Sequence, residues 1–358
     1  MTTLVVRDAS APSPAFAALF PGQLSEKPGM GEALARRYEF ASSLIEEISA
    51  RSGVRLADTF FGAGSSSLHD DLPAQVGVFA VSLAALETLR RIHRLEPAAV
   101  LGYSLGTYAA FVAAGSLETW AALDVLLEAE RLMSEALCRG DLDGGMGYVI
   151  GLGRPAVEDT LRTLTPDRSR LAIATENAAA QFVFSGERAL VASAVEAFRP
   201  VALKTDLLKI RIPMHTTRLT SICDRLQSFL ERGISVKRPV TALYAPMSAR
   251  RVGSEEDALD VLSKQISLPS LFGPTLKAMR ETGLQRFAEV GPGDVLTKLV
   301  RWNVRDATVP GQALDDPESI DAFAKELAPP PLFSFEGNPK RAPAAATAAQ
   351  DARGSETK

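Results

Sequence analysis

The feature that most constrains this chain is Gly102-Tyr103-Ser104-Leu105-Gly106, which matches the pattern Gly-x-Ser-x-Gly. Residues 98–101 before it are apolar and residues 108–114 after it suit a helix, so the segment predicts a strand, a sharp turn and a helix. In such a nucleophile elbow the serine oxygen projects from the sheet, and the helix N-terminus offers N–H groups to an oxyanion. The pattern favours Ser104 as a nucleophile; the alternative is a glycine-rich connection whose serine only caps the helix.

The predicted elements indicate an α/β fold with a smaller domain inserted into a larger one. Residues 15–145 and 209–327 alternate strands and helices, as in an α/β-hydrolase-like domain with a parallel sheet and a site at the strands' carboxyl ends. Residues 146–208 predict strand, helix, strand, strand, helix, strand, which is the order of a ferredoxin-like subdomain. A turn is predicted at Asn177, between the second and third strands, and the last strand is predicted to begin at Val201. Residues 1–14 are expected to be a loose leader, and residues 328–358, rich in proline and alanine, a disordered tail.

A serine nucleophile needs a base, and the chain contains three histidines. His69 lies in a stretch rich in serine and aspartate and His93 in a basic one, so both are expected at the surface. His215 follows an apolar run that predicts a strand, and a helix is predicted after it, so it would lie at a strand end, as Ser104 does. We predict that His215 is the base, in a dyad or a triad. A backbone carbonyl or an amide side chain would accept its second N–H; the alternative is a partly buried structural histidine.

Composition argues against several classes of function. The net charge is −4 and charges of both signs are mixed along the chain, which indicates neither a nucleic-acid footprint nor a cationic membrane face. We expect no apolar run near the ~18 residues of a membrane span, and the N-terminus lacks the apolar core of a secretory signal. Cys138 and Cys223 are too few and too far apart for a metal cluster and indicate a reducing compartment. A cytoplasmic protein without a metal is expected.

Four separated motifs together resemble the malonyl-CoA:acyl-carrier-protein transacylase family, which includes the acyltransferase domains of fatty acid and polyketide synthases. They are Phe20-Pro21-Gly22-Gln23, the elbow at 102–106, Ile212-Pro213-Met214-His215, and Glu289-Val290-Gly291-Pro292-Gly293-Asp294-Val295-Leu296. Asn177 and Gln181 resemble the family's small-subdomain block, and Gln265 before Leu268-Pro269 resembles its later glutamine block. The resemblance covers about residues 15–315.

This resemblance implies a Ser104–His215 dyad in which Ser104 is acylated from a thioester and deacylated by the phosphopantetheine thiol of an acyl carrier protein. It implies an oxyanion hole formed by the backbone N–H groups of Gln23 and Leu105, and a role for Gln265 in orienting His215. The implied partners are an acyl-CoA and an acidic carrier protein. No cofactor is implied beyond the phosphopantetheine of the substrate, and a monomer is expected.

The chain departs from the family where the acyl group would be recognised. Family members usually carry histidine at the position of Tyr103 and glycine at that of Leu24. The commonest members carry an arginine at the position of Ala129, which pairs with the malonyl carboxylate. Arg131 lies about 200° further round the helix and should face elsewhere. Because burying an unpaired carboxylate costs several kcal/mol, we expect an uncharged acyl group: acetyl, another short chain, or a longer fatty or polyketide chain.

The expected substrate pocket is formed by Leu24, Tyr103, Ala129, Met214 and Asn177. Three functions fit it: an acyltransferase of polyketide or fatty acid biosynthesis, an acyl hydrolase acting on carrier-protein thioesters, and a malonyl-CoA transacylase. Transfer and hydrolysis share the acyl-Ser104 intermediate and differ in the exclusion of water, which the sequence does not reveal. A catalytically inactive scaffold is disfavoured because Ser104, His215 and Gln23 are all present.

Overall fold

The structure, a computed structural model, describes residues 3–6, 15–57, 71–309, 313–328 and 333–336. It confirms a mixed α/β fold. The strands, in chain order, are β1 (Thr3–Val6), β2 (Phe16–Phe20), β3 (Ala99–Gly102), β4 (Gly145–Ile150), β5 (Leu171–Ala178), β6 (Gln181–Gly186), β7 (Lys204–Leu207), β8 (Ala242–Ala245), β9 (Arg250–Arg251), β10 (Arg286–Glu289) and β11 (Phe333–Glu336).

The helices alternate with these strands along the chain. In chain order they are α1 (Glu32–Arg37), α2 (Glu39–Ser52), α3 (Asp71–His93), α4 (Gly106–Ala113), α5 (Thr119–Cys138), α6 (Arg154–Leu164), α7 (Arg188–Phe198), α8 (Thr220–Gly233), α9 (Glu255–Lys264), α10 (Phe272–Glu281), α11 (Val295–Asn303) and α12 (Pro317–Leu327). A 3-10 turn, Thr217–Leu219, precedes α8.

The chain divides into two compact units, residues 1–13 with 328–358, and residues 14–327. In the first unit β1 and β11 pair antiparallel, with Thr3 opposite Glu336 and Val6 opposite Phe333. The expectation of a loose leader and a disordered tail is therefore wrong at these two strands; the rest of both predicted segments lies outside the described residues. The pairing joins opposite ends of the chain, so neither segment predicts it alone.

The large domain is built on a five-stranded sheet in the order β10-β2-β3-β8-β9. Its first four strands are parallel, and β9 pairs antiparallel at one edge. Alternate residues of β2 and β3 pack into hydrophobic clusters on opposite faces, as expected for a parallel sheet covered on both sides. Phe20 and Gly102 are register partners at the carboxyl ends of β2 and β3, so the loops that follow these strands begin side by side.

Helix α3 is long and largely apolar. Contrary to the sequence expectation, Leu72–His93 is long and apolar enough, by length and composition, to cross a membrane. Its most apolar window is 83% buried inside the protein, as expected of a core helix.

The small domain is a four-stranded antiparallel sheet in the order β5-β6-β4-β7, with α6 and α7 packed on one face. The chain order β4-α6-β5-β6-α7-β7 is a ferredoxin-like arrangement. Two local predictions are wrong. The last strand begins at Lys204 instead of Val201, and Asn177 lies inside β5 instead of at the turn after it.

Strand β5 connects the small domain to the large one. Ser270 donates its backbone N–H to the Ala174 carbonyl at 2.8 Å, and Glu176 donates to the Ser270 carbonyl at 2.8 Å. Asn303, at the end of α11, donates its side-chain N–H to the Asn177 carbonyl at 2.7 Å. These bonds fix the edge of β5 beside the carboxyl ends of the large sheet.

Candidate active site

The nucleophile elbow forms as predicted, between β3 and α4. Ser104 occupies the left-handed region with φ 51°, which a non-glycine residue rarely adopts outside strained functional turns. A Cβ on Gly102 would lie 2.3 Å from the Thr107 backbone nitrogen, and one on Gly106 would lie 2.0 Å from the Phe20 carbonyl oxygen. The two glycines of the motif are therefore required because helix α4 and strand β2 approach the turn too closely for any side chain.

Ser104 and His215 come together, 111 residues apart in the chain. The Ser104 Oγ lies 3.0 Å from His215 Nε2, and His215 Nδ1 lies 3.1 Å from the Leu268 carbonyl oxygen. A carbonyl can only accept, so Nδ1 carries the hydrogen and Nε2 is left to accept the Ser104 proton. The pair has the geometry of a nucleophile and its base.

Burial controls the protonation of His215, which is 5% exposed. Removal from water lowers the pKa of the imidazole below its ordinary value, while the Leu268 and Gln265 backbone carbonyls act in the opposite direction. The neutral imidazole that a general base requires is therefore the favoured form near neutral pH.

The predicted role of Gln265 in orienting His215 stays a prediction, and the side chain of Gln265 does not make the bond at Nδ1. Its side-chain Nε2 lies 3.4 Å from the Tyr108 hydroxyl, and the hydrogen bond at His215 Nδ1 is made by the Leu268 backbone. Of the two acceptors expected from the sequence, the structure contains the backbone carbonyl. Gln265 faces the imidazole through its main-chain carbonyl.

The loop that carries His215 also differs from the prediction. Residues 210–212 form no strand in the described structure, and His215 has φ 59° just before the 3-10 turn. Its backbone N–H donates to the Ile266 carbonyl at 2.7 Å, which fixes the loop against residues 265–268. His93 lies 3.0 Å from Asp321 and is not in this site; His69 lies outside the described residues.

The loop after β2 lies against the elbow. A Cβ on Gly22 would be 2.7 Å from the Tyr103 carbonyl oxygen, so this glycine allows the close approach. Leu24 has φ 74°, and its N–H donates to Glu26 Oε2 at 2.7 Å, while the Ser25 hydroxyl donates to the Gly22 carbonyl at 2.6 Å. These bonds set the path of the backbone around Gln23. The oxyanion role of the Gln23 and Leu105 N–H groups stays a prediction.

Ser104 and His215 open into a cavity of about 330 Å³ between the two domains, which we call the Ser104 cavity. Its wall is mainly apolar and includes Met133, Met146, Ile150, Val183, Leu208, Ile210, Ile212, Met214, Val295 and Leu296. The polar side chains that line it include Gln75, Tyr103, Tyr108, Asn177, Gln181 and Gln265.

Four of the five predicted pocket residues line this cavity: Leu24, Tyr103, Met214 and Asn177. Ala129 does not line it; it is buried in the hydrophobic core that α5 shares with its neighbours. The small side chain of alanine does not reach the cavity surface from its position on α5. The prediction that Ala129 lines the pocket is wrong.

Arg131 cannot replace the missing arginine. It is 50% exposed and pairs with Glu128 and Glu135, each at 2.7 Å, on the outer face of α5. Among the described residues that line the Ser104 cavity, the one lysine or arginine is Lys204, on the exposed edge strand β7.

Two clusters of polar side chains at or behind the cavity wall were not predicted from the sequence. Tyr103 spans the two domains: Asn177 and Thr175 hydrogen-bond its hydroxyl, and Phe272 meets its ring edge-on at 5.0 Å. Glu130 is buried beside Gln75 and Ser134 at the large-domain end. The sequence signal that could have revealed this second cluster is Glu130, an acidic residue within the apolar face of α5.

Two small-domain residues that line the cavity each carry a buried side-chain oxygen. Asn177 Oδ1 and Gln181 Oε1 have no hydrogen-bond partner in the described structure. Buried oxygens of this kind cost free energy unless a ligand or water donates to them. Asn177 and Gln181 therefore have acceptor capacity that no described donor uses.

The chain is similar to known acyl transferases over most of its length. The family model described as acyl transferase domain matches residues 18–321. The chain is 28% identical over 314 residues to the malonyl CoA-acyl carrier protein transacylase of Bacillus subtilis (strain 168), covering 87% of this chain and 97% of that protein. It is 27% identical over 304 residues to the protein of the same name from Staphylococcus aureus (strain MW2), with coverage of 84% and 96%.

Two solved structures of malonyltransferases are also similar to this chain. A type II polyketide synthase acyl-carrier protein in complex with its malonyl-transacylase matches with a TM-score of 0.81 at 26% identity, covering 87% of this chain and 99% of that one. The acyl-carrier-protein S-malonyltransferase of Burkholderia pseudomallei matches with a TM-score of 0.79 at 25% identity and the same coverage.

Proposed function

This chain belongs to the acyl transferase domain family and is an acyltransferase, and we propose that it moves an uncharged acyl group from a CoA or carrier-protein thioester to an acyl carrier protein. The observation that carries the proposal is the contact of 3.0 Å between Ser104 Oγ and His215 Nε2 at a largely apolar cavity. The names of the relatives, which refer to acyl carrier proteins and in one case to a type II polyketide synthase, support a role in fatty acid or polyketide synthesis.

The reaction proceeds through two exchanges at Ser104. As Ser104 Oγ attacks the thioester carbonyl, His215 Nε2 takes its proton; the C–S bond then breaks, and the proton passes to the departing thiolate. The carrier-protein thiol then attacks the acyl-serine ester, gives its proton to His215, and leaves with the acyl group while Ser104 regains its hydrogen. The Leu268 carbonyl holds the Nδ1–H through both steps and stabilises the imidazolium.

The negative oxygen of each tetrahedral intermediate is assigned to the backbone N–H groups of Gln23 and Leu105. Leu105 directly follows the nucleophile at the start of α4, where helix N–H groups have no intrahelical acceptor. Gln23 lies in the loop that packs against the elbow. Two such donors typically supply several kcal/mol of transition-state stabilisation.

The preference for an uncharged acyl group rests on the cavity wall. Arg131 points to solvent, and Ala129 offers no charge near the cavity. A malonyl carboxylate next to Met133 and Met214 would lose its hydration without gaining an ion pair, at a cost of several kcal/mol. An alkyl group would instead gain about 0.8 kcal/mol for each buried methylene.

The carrier protein is proposed as the acceptor because one structural relative is a complex of an acyl-carrier protein with its malonyl-transacylase. The phosphopantetheine arm of such a carrier contains two amide N–H groups. Asn177 Oδ1 and Gln181 Oε1 are buried acceptors without a donor in the described structure, and they suit those amides.

A second candidate is malonyl transfer, which the names of the relatives favour. In that case Lys204, at the edge of the Ser104 cavity, would have to hold the carboxylate. Its exposure makes a pair there worth little compared with a buried arginine.

Intact-mass spectrometry tests the proposal. The protein is incubated with malonyl-, acetyl-, butyryl- or octanoyl-CoA, in parallel with Ser104→Ala. We expect an adduct from at least one uncharged donor, little from malonyl-CoA, and none in the variant. An adduct that survives in Ser104→Ala would contradict the nucleophile, and a dominant malonyl adduct would contradict the acyl preference.

Addition of a phosphopantetheinylated carrier protein then separates transfer from hydrolysis. Transfer moves the acyl mass from the enzyme to the carrier. Release of free acid without acyl-carrier would identify an acyl hydrolase that uses the same intermediate.

A further inference from the structure

The large-domain end of the Ser104 cavity carries a polar group that the proposed reaction does not use. Gln75 comes from α3, a long apolar helix, and is 8% exposed. Its Nε2 donates to Glu130 Oε2 at 2.8 Å, and Ser134 donates its hydroxyl to Glu130 Oε1 at 2.9 Å. Glu130 is itself 6% exposed. These bonds hold Gln75 in one orientation at the cavity wall.

The orientation of the Gln75 amide follows from the chemistry of its partner. In the structure the NH₂ group of Gln75 faces Glu130, because Nε2 is the atom that donates to the Glu130 carboxyl oxygen. The Oε1 atom is then the remaining amide group, and it has no partner among the residues that the structure describes. Gln75 lines the cavity, so this oxygen is an acceptor for a ligand.

Tyr108 supplies a complementary donor at the same end. It lies four residues after Ser104, on α4, and its hydroxyl accepts a long hydrogen bond of 3.4 Å from Gln265 Nε2. Burial raises the pKa of this hydroxyl, and the opposing effect of the hydrogen bond from Gln265 is smaller, so Tyr108 keeps its proton near neutral pH. The hydrogen bond at this hydroxyl is the one that it accepts from Gln265, so the Tyr108 O–H can donate to a ligand.

A hydroxyl group matches one acceptor and one donor, because it can give a hydrogen bond to Gln75 and take one from Tyr108. A carboxylate can take a bond from Tyr108 but has nothing to give to Gln75 Oε1. A plain alkyl chain leaves both groups unpaired, which disfavours it at a site built to hydrogen-bond a substrate.

We propose that Gln75 and Tyr108 recognise a hydroxyl group on the acyl chain, so that the preferred donors are hydroxyacyl thioesters. The inference rests on the proposed function, since it requires an acyl group on Ser104. It narrows the acyl class from uncharged to hydroxylated and assigns Gln75 as a specificity-determining residue.

The test compares matched donors on the full chain. Rates of acyl-Ser104 formation are measured by quenched intact-mass spectrometry with butyryl-, 3-hydroxybutyryl- and 4-hydroxybutyryl-CoA at equal, subsaturating concentrations. We expect at least one hydroxylated donor to react about tenfold faster than butyryl-CoA, or more. Gln75→Leu should bring this ratio toward one by slowing the hydroxylated donor more than butyryl-CoA.

Two further variants complete the design. Gln227→Leu makes the same chemical change on α8, where Gln227 bonds Glu231 outside the Ser104 cavity, and it should leave the ratio unchanged. Tyr108→Phe removes the donor and should also lower the ratio. It keeps the test informative if Gln75→Leu does not fold.

Several results would overturn the inference. A ratio near one in the unchanged protein would do so while leaving the proposed function intact, because butyryl-CoA would still acylate Ser104. A ratio that both cavity variants leave unchanged would contradict the assigned residues. Equal slowing of all donors in Gln75→Leu would mean that Gln75 contacts the shared phosphopantetheine arm. No adduct from any donor would remove the proposed function and this inference together.

Discussion

Both residues of the catalytic pair have a backbone conformation that is rare for residues other than glycine. Ser104 and His215 both have positive φ, at 51° and 59°, and both positions follow from tight turns that neighbouring elements enforce. The sequence predicts the residues of the pair because a Gly-x-Ser-x-Gly pattern and a single well-placed histidine are local signals. It does not predict that Leu268 holds the imidazole, because any residue can provide a backbone carbonyl and only the path of the loop selects one.

The lowered pKa of His215 predicts how acylation depends on pH. The neutral imidazole is the base, and burial favours that form. The acylation rate should therefore fall only when the pH drops below the pKa of an ordinary histidine, about 6.5. Single-turnover acylation with butyryl-CoA, followed from pH 4.5 to 8, measures this.

The control for the pH profile is His215→Ala, whose residual rate should lack the acidic limb. A midpoint at or above about pH 6.5 in the unchanged protein would contradict the assignment of a desolvated, neutral base.

The element that organises the site is the crossing of β2, β3 and α4. Register between Phe20 and Gly102 brings the loop that carries Gln23 and the nucleophile side by side, and the glycines let helix α4 start directly after the strand. The parallel order of these elements is predictable from the apolar runs and the connecting helices. The exact ends of the elements cannot be predicted in this way. Strand β7 begins at Lys204, three residues after its predicted start, because its pairing with β4, and not the β-propensity of its own residues, decides where the strand begins.

Gly106→Ala should disrupt this crossing. The new Cβ would lie 2.0 Å from the Phe20 carbonyl, and backbone on both sides leaves nothing flexible to move. We expect a loss of unfolding free energy of about 3 kcal/mol or more and loss of acylation, measured by denaturant unfolding and intact mass.

Gly233→Ala is the matched control for that substitution. Gly233 ends α8, has no positive φ, and a Cβ there would meet nothing within 4 Å. The free energy of unfolding of Gly233→Ala should differ from that of the unchanged protein by less than about 1 kcal/mol. Equal effects of the two substitutions would contradict the steric account of the elbow.

At the scale of the whole molecule, the site exists because two domains are fixed against each other. Ser104, His215 and Gln75 come from the large domain, while Asn177 and Gln181 come from the small one, and the cavity lies between them. The two domains can be predicted from the change in element order at residues 146–208. Their junction cannot, because the bonds that fix the edge of β5 include backbone bonds at Ser270 and a bond from the Asn303 side chain, which carry no sequence pattern.

Asn303→Ala should loosen that junction. Its side-chain N–H groups bond the Asn177 carbonyl at 2.7 Å and the Leu299 carbonyl at 2.9 Å, and their loss leaves the end of β5 less firmly held. We expect about 1–2 kcal/mol lower stability and a several-fold slower acylation rate. Lys298→Ala, on the exposed face of the same helix, is the control; an equal effect there would show that the helix and not the junction is responsible.

The most direct test of the central claim is a competition on one sample. The protein is mixed with equimolar malonyl-CoA and butyryl-CoA, both in excess, and the two acyl-Ser104 masses are compared at the first turnover. Because the cavity offers an apolar wall and no arginine to a carboxylate, we predict that the butyryl adduct exceeds the malonyl adduct at least about tenfold. A malonyl adduct in excess would contradict the account and leave the chain an ordinary malonyl transferase.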